Sequence, residues 1–181
     1  MVIDDYEWFT IHKTEENQKA TFLQKLKEGK TVGIISEAGC PGVADPGQIL
    51  VEAAHHAGAT IKPLVGPSSI LLTLMASGMN GQHFQFVGYL PVEQSEKMKI
   101  IRELENESRK KNCTQIFIET PYRNNQLMET MLKTCQPSTK LCIAANLTSA
   151  NEFIRTKPIN EWKKHLPDLH KQPAIFCLLA V

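Results

Sequence analysis

Ser36-Glu37-Ala38-Gly39-Cys40-Pro41-Gly42-Val43-Ala44-Asp45-Pro46-Gly47 follows a short apolar run, Val32 to Ile35, and its reading decides the fold. The run predicts a buried strand. Asp45-Pro46-Gly47 predicts a helix start, with Asp45 as N-cap and Pro46 in the first helical position. A strand, a glycine-rich turn and a helix form half of a βαβ unit, and open α/β sheets bind ligands at such turns. Gly39, Gly42 and Gly47 lack the Cβ that would keep a ligand from the backbone. The spacing is not G-x-G-x-x-G and no G-K-[ST] follows, so neither the dinucleotide nor the P-loop fingerprint applies. On these residues alone the turn can be either structure or site.

Outward from this loop the chain alternates. Residues 15 to 28 predict a helix with Thr14 as N-cap, Phe22, Leu23 and Leu26 as its apolar face, and Gly29 just past its end. Strand 31–36, helix 46–57 ending at Gly58, strand 60–65, helix 68–77 ending at Gly78 and strand 84–89 follow. Beyond Pro91 the texture changes. Residues 92–112 are highly charged, with Met98, Ile101 and Leu104 at helical spacing. Strand 114–119, helix 123–135, strand 140–146, an extended piece at 153–157, a helix at 159–166 and a strand at 174–180 complete the chain. The expectation is an α/β protein of two lobes, 1–91 and 92–181. The first carries a mostly parallel sheet and the second a mixed one.

Composition sets the bounds. The 181 residues are 42% hydrophobic, enough for a real core, and carry a net charge of +1, which excludes a generally basic nucleic-acid glove but not a local patch. The five cysteines form no C-x-x-C pair and are odd in number, which predicts reduced thiols and a cytoplasmic setting. His55 and His56 are adjacent and so point to different helix faces, and no metal site is expected. The longest apolar runs are too short to span a bilayer.

A second loop, Pro63-Leu64-Val65-Gly66-Pro67-Ser68-Ser69, again follows an extended run and opens a helix. With Ile35-Ser36-Glu37-Ala38-Gly39-Cys40-Pro41, Asp45-Pro46-Gly47, Gly88-Tyr89-Leu90-Pro91, Glu119 and Arg123, it resembles the tetrapyrrole methylase superfamily of S-adenosylmethionine-dependent methyltransferases. The branch that includes the ribosomal RNA small-subunit methyltransferase I family is the nearest likeness. Order and spacing hold across most of the chain. In that family a strand and a "P-I-G-N-L" turn precede the segment that Ile3-Asp4-Asp5-Tyr6-Glu7-Trp8-Phe9 resembles. The first sheet is therefore expected to be incomplete, with a gap where that central strand would sit and its neighbours' backbone groups left unpaired.

The resemblance implies that Ser36, Gly39, Cys40, Pro41, Val43 and Asp45 line one side of a donor pocket, with Gly66, Pro67, Ser68, Ser69 and Ile70 on the other. The bland alternative for Ser68 and Ser69 is helix capping. It also implies that Glu119 and Glu152 can orient or deprotonate an acceptor hydroxyl, with Arg123 holding a phosphate or carboxylate. Glu119 and Arg123 could equally form a local ion pair at a helix start.

The likeness is weakest around Ala144-Ala145-Asn146-Leu147-Thr148-Ser149-Ala150-Asn151-Glu152, where the family carries "A-R-E-L-T-K-x-x-E". Only Thr148 and Glu152 of its polar residues remain, and of a later "K-G-E" only Lys171. The run Lys97, Lys99, Arg102, Arg109, Lys110 and Lys111 is interleaved with glutamates and reads as a solvated helix face. The implied activity is methylation of a ribose 2′-hydroxyl in small-subunit ribosomal RNA by a homodimer. A tetrapyrrole acceptor, or a non-catalytic relative that keeps the donor pocket, stands as the alternative.

Overall fold

The computed structural model describes residues 5–11 and 15–180, so Ile3, Asp4 and the expected N-cap Thr14 lie outside the described residues. They form two compact units that divide at Ser68/Ser69. The expected boundary near Pro91 is thereby corrected. The strand expected to close the first lobe pairs in parallel with a later one along Phe84↔Thr114 to Phe86↔Ile116, and those ladder bonds tie it to the second unit.

In the first unit α1 (Glu15–Lys27) and α2 (Gln48–His56) are the helices. Both end on a glycine in the left-handed region, Gly29 (φ 75°) and Gly58 (φ 71°). In each case the glycine N–H and the next N–H turn back to the last carbonyls, as Gly29 to Leu26 and Lys30 to Lys25, which completes a Schellman motif. Phe22, Leu23 and Leu26 of α1 are half-buried, and Leu50, Ala53 and Ala54 of α2 are buried. Segments 31–36 and 60–65 are not strands, and no ladder forms among the described residues of this unit. Apolar, β-branched sequence supplies the capacity to pair, but the ladder itself needs a neighbour about 4.8 Å away. Ile35, Leu64 and Val65 are accordingly exposed.

The second unit holds α3 (Ser69–Ser77), β1 (Phe84–Tyr89), α4 (Gln94–Lys111), β2 (Thr114–Ile118), α5 (Asn124–Thr134), β3 (Lys140–Ala145), β4 (Phe153–Pro158), α6 (Ile159–Trp162) and β5 (Ala174–Leu179). The sheet order is β1-β2-β5-β3-β4, with β1 parallel to β2 and every other pair antiparallel. The sheet is mixed only through β1, which the expected division placed in the first lobe; β2, β5, β3 and β4 by themselves are antiparallel throughout. Side chains alternate across it. Phe117, Leu141, Ile143, Phe176 and Leu178 pack on one face with Ile101 and Leu104 of α4 and Leu127, Met128 and Met131 of α5. Ile116, Cys142, Ala144, Ile175 and Cys177 pack on the other with Leu74 of α3. Phe117 and Phe176 are register partners and stack at 5.9 Å. Trp162 is buried and donates from Nε1 to the Leu141 carbonyl at 2.9 Å, so α6 is short but firmly anchored. All five cysteines are free thiols. Among the described residues no helix is long and apolar enough to cross a membrane.

Candidate functional site

The glycine-rich loop is built as a tight double turn. Gly39 (φ 82°), Gly42 (φ 78°) and Gly47 (φ 138°) all lie at positive φ, and Ala44 joins them at 56°. Gly42 N–H donates to Pro46 C=O and Val43 N–H to Cys40 C=O. A Cβ on Gly47 would stand 3.1 Å from Gly42 N, so the chain crosses itself there and only glycine fits. At Gly39 a Cβ would meet nothing within 4 Å, which leaves open space beside the loop. Ser36 closes a local turn, its Oγ donating to Ala38 C=O and accepting from Ala38 N–H.

The helix start differs from the expected one. Gly47 is the N-cap, helix α2 begins at Gln48, and no side chain at the cap accepts from it. Glu15 of α1 does so instead. Its Oε1 accepts from Gly47 N–H at 3.0 Å, Ile49 N–H at 2.8 Å and Leu50 N–H at 3.2 Å. Asp45 is thus relieved of the capping task that sequence assigned it. A partner thirty residues upstream carries no local signal, so sequence reasoning had no means to find it.

The two loops adjoin. Cys40 Sγ lies 3.9 Å from Pro67 O, a long thiol–carbonyl contact that brings 36–47 against 66–68. Pro41, Val43, Gly66 and Pro67 are exposed, and Ser36, Cys40, Asp45 and Ser68 are partly so. Ser69 and Ile70 open α3 and belong to the second unit. A separate open cavity of about 550 Å³ lies along Pro41, Gly42, Gln48, Val51, Glu52, His55 and His56.

In the second unit the loops 119–123, 146–152 and 168–173 gather at one end of the sheet, where β2 and β3 finish and β4 and β5 start. Asn124 Nδ2 donates to Gln172 O, Asn146 Nδ2 to Gln172 Oε1, Asn146 N–H to Pro173 O and Lys171 N–H to Pro121 O. Glu119 is buried at the centre. Its Oε1 accepts from Thr120 N–H and from Arg123 Nε and Nη2 at 2.7 to 2.9 Å, and its Oε2 accepts from Lys97 Nζ at 2.9 Å. Burial pushes the Glu119 carboxyl up, but these donors outweigh it and hold the group below the usual carboxylate value. Both oxygens are committed and the group is a weak base, which corrects the expectation that Glu119 accepts a proton. Glu152 is exposed, and its Oε2 accepts from Thr148 N–H at 2.7 Å.

Lys97 is the residue that sequence reasoning misplaced. It was expected on a solvated helix face and is fully buried. The signal was present: 97, 101, 104, 105 and 108 fall on one stripe of α4, all buried. The replacements of the weak segment are also accounted for. Ala145 is buried against the core, and Asn146 forms a neutral amide pair with Gln172.

The family model of the tetrapyrrole (corrin/porphyrin) methylases matches residues 5–162. The chain is a member of that family. It is 34% identical over 154 residues, 84% of this chain and 52% of the relative, to the ribosomal RNA small subunit methyltransferase I of Vibrio cholerae serotype O1. It is 33% identical over the same length, again 52% of the relative, to the protein of that name from Escherichia coli O157:H7. The chain therefore spans about half the length of these relatives. Its fold is similar to that of the methyltransferase CobJ, with a TM-score of 0.62 at 20% identity over 93% of this chain and 72% of that one. It is also similar to uroporphyrin-III C-methyltransferase from Thermus thermophilus, solved with S-adenosyl homocysteine, with a TM-score of 0.56 at 15% identity over 94% and 75%. In this tetrapyrrole methylase the motif residues gather in two regions, the adjoining loops at Cys40 and Pro67 and the Glu119 cluster.

Proposed function

We propose that this protein is an S-adenosylmethionine-dependent methyltransferase acting on a ribose 2′-hydroxyl of small-subunit ribosomal RNA, in the cytoplasm and as a homodimer. The observation that carries the acceptor is the likeness to ribosomal RNA small subunit methyltransferase I at 34% identity over 84% of the chain. The solved structures of CobJ and uroporphyrin-III C-methyltransferase, at 15 to 20% identity, are likenesses of fold.

The loops suit a sulfonium donor. Exposed peptide groups around Gly39 and Pro41 supply hydrogen bonds, and the apolar surfaces of Val43 and Pro67 suit an adenine ring. Ser36 and Ser68 add hydroxyls for the ribose and the methionine end. Once bound, the donor supplies an activated methyl group. Held there, it would exchange its carbon–sulfur bond for a carbon–oxygen bond to the acceptor, and the hydroxyl proton would pass to a base. The protein's part is alignment of donor and acceptor. Glu119 serves that alignment by fixing Arg123, whose guanidinium is positioned for an acceptor phosphate. Glu152 is the exposed carboxylate left to take up the proton.

The neutral Asn146–Gln172 pair and the buried Ala145 favour a second reading, a relative that binds the donor without transferring its methyl group. Calorimetry with S-adenosylmethionine, followed by transfer of labelled methyl to small ribosomal subunits lacking the modification, separates the two. Binding with transfer to a ribose supports the first reading. Binding without transfer to any subunit overturns it in favour of the second.

A further inference from the structure

Tyr122 stands 70% exposed in the loop that joins β2 to α5. Its ring is held without being covered. His170 meets it edge-on at 6.1 Å and 75°, and Lys171 Nζ lies 6.0 Å from its centroid. The backbone fixes this arrangement, because Lys171, at φ 59°, donates its N–H to Pro121 C=O. Next in the chain, Arg123 is clamped by Glu119 with its guanidinium still partly exposed.

The segment that supplies His170 and Lys171 is unlike the rest of the molecule. Lys163, Lys164, His165, His170 and Lys171 are all exposed within nine residues, in a chain whose net charge is only +1. The single acid among them, Asp168, is already engaged by Asn125 Nδ2 at 2.8 Å and His170 N–H at 3.0 Å. An exposed aromatic face bordered by basic side chains is poorly suited to an apolar protein partner. It matches single-stranded nucleic acid, whose unpaired bases stack on aromatic rings while phosphates meet lysine and arginine.

We propose that Tyr122, with Arg123, His170 and Lys171, is a stacking and phosphate-binding platform for single-stranded RNA. This rests on the ribosomal RNA reading above and names the surface that would hold the acceptor strand. Tyr122 stacks one base, and Arg123 and Lys171 meet the phosphates that flank it.

The test is fluorescence anisotropy with the full chain and a labelled single-stranded RNA of about ten nucleotides, in the range such sites cover. The parent should bind the single strand more tightly than a duplex of the same sequence. Tyr122→Ala should weaken binding about 5- to 100-fold, as expected for loss of one stacked base, while Tyr122→Phe stays within a few-fold. Lys171→Ala should lower the slope of log affinity against log salt by about 0.7, the contribution of one phosphate contact on a single strand. Tyr122 and Lys171 are exposed, so the variants should retain the parent's melting temperature. Equal binding by Tyr122→Ala and the parent, equal binding of duplex, or an unchanged salt slope would each overturn the platform. Subunit methylation distinguishes this from the reading it rests on. Methylation without Tyr122-dependent RNA binding sinks the platform alone, whereas Tyr122-dependent binding without methylation keeps the platform and sinks the methyltransferase.

Discussion

Lys97 Nζ donates to Glu119 Oε2 across 2.9 Å, and both side chains are wholly removed from solvent. The pair joins α4 to the loop after β2, and through Glu119 Oε1 it reaches Arg123 at the start of α5. Three elements are tied by one carboxylate. Removing one member of such a buried pair strands the other charge, which typically costs about 3–5 kcal/mol, whereas replacing both can be neutral. Lys97→Met and Glu119→Gln should therefore each destabilise by about 3 kcal/mol in urea unfolding. The double variant should lose clearly less than the sum. Additive losses would show that the two groups do not act as a pair.

The same cluster sets an acid limb. The folded Glu119 carboxyl lies below its ordinary value of 4.5, because the donors from Arg123, Lys97 and Thr120 outweigh the upward push of burial. Its contribution is thus complete above about pH 5 and declines as pH falls from 4.5 through the lower folded value. Urea midpoints should be flat from neutral pH to about 5 and fall below it. In Glu119→Gln the fall should be visibly shallower, although other lowered carboxylates such as Asp168 and Glu107 remain. An identical acid limb in parent and variant would remove Glu119 from the account.

How much of this was legible in sequence depends on how local the cause is. Strands β1, β2, β3 and β5 were readable because their apolar residues are contiguous and their partners exist. The Gly29, Gly58 and Gly78 helix ends were readable because a left-handed residue is a local requirement. The ladders expected at 31–36 and 60–65 were not, because pairing is a property of two segments and neither run carries the other's partner in its own pattern. The motif residues near Cys40 and Pro67 were legible, and the two loops that carry them adjoin. Lys97 was hidden by its neighbours. Lys99, Arg102 and Arg109 make α4 read as solvated, and only the stripe through Ile101, Leu104 and Ser108 shows that position 97 faces inward.

Glu15 caps a helix that is not its own. One oxygen accepting from Gly47, Ile49 and Leu50 satisfies donors that α2 would otherwise leave open. Glu15→Ala should cost about 1 kcal/mol, the usual range for a lost N-cap. Hydrogen exchange at Ile49 and Leu50 should speed up, while that of Leu127 and Met131 in α5 stays unchanged. Protection at Ile49 and Leu50 equal to the parent's would show that the cap is not formed in solution.

Gly39 separates backbone conformation from crowding. Open space surrounds its missing Cβ, but its φ of 82° penalises any L-residue by about 1–2 kcal/mol. Gly39→Ala should therefore weaken S-adenosylmethionine binding by about tenfold, read by calorimetry. Gly33→Ala, where the φ is ordinary and the space equally open, should leave it unchanged. Equal affinity in both variants would take the loop out of the donor site.

Cys40 offers a direct footprint of the donor. The other four cysteines are buried, and burial drives the Cys135 and Cys177 thiols far above their ordinary value, so they carry almost no thiolate. Cys40 is partly exposed, in the loop that meets Pro67. A thiol-reactive chromophore should thus modify one cysteine per native molecule and all five in denaturant. If the loops at Cys40 and Pro67 hold S-adenosylmethionine, saturating donor or its demethylated product should slow the native reaction by at least about tenfold, since the bound ligand would cover the sulfur as pockets cover most of a ligand's surface. The four buried thiols serve as an internal control, because their slow modification reports unfolding of the second unit and should follow the urea stability. Slowing at Cys40 without any change in that slow phase places the ligand at the loop. Slowing of both together would mean that the ligand stabilises the fold from elsewhere, and an unprotected Cys40 at saturating donor would exclude this loop from the site.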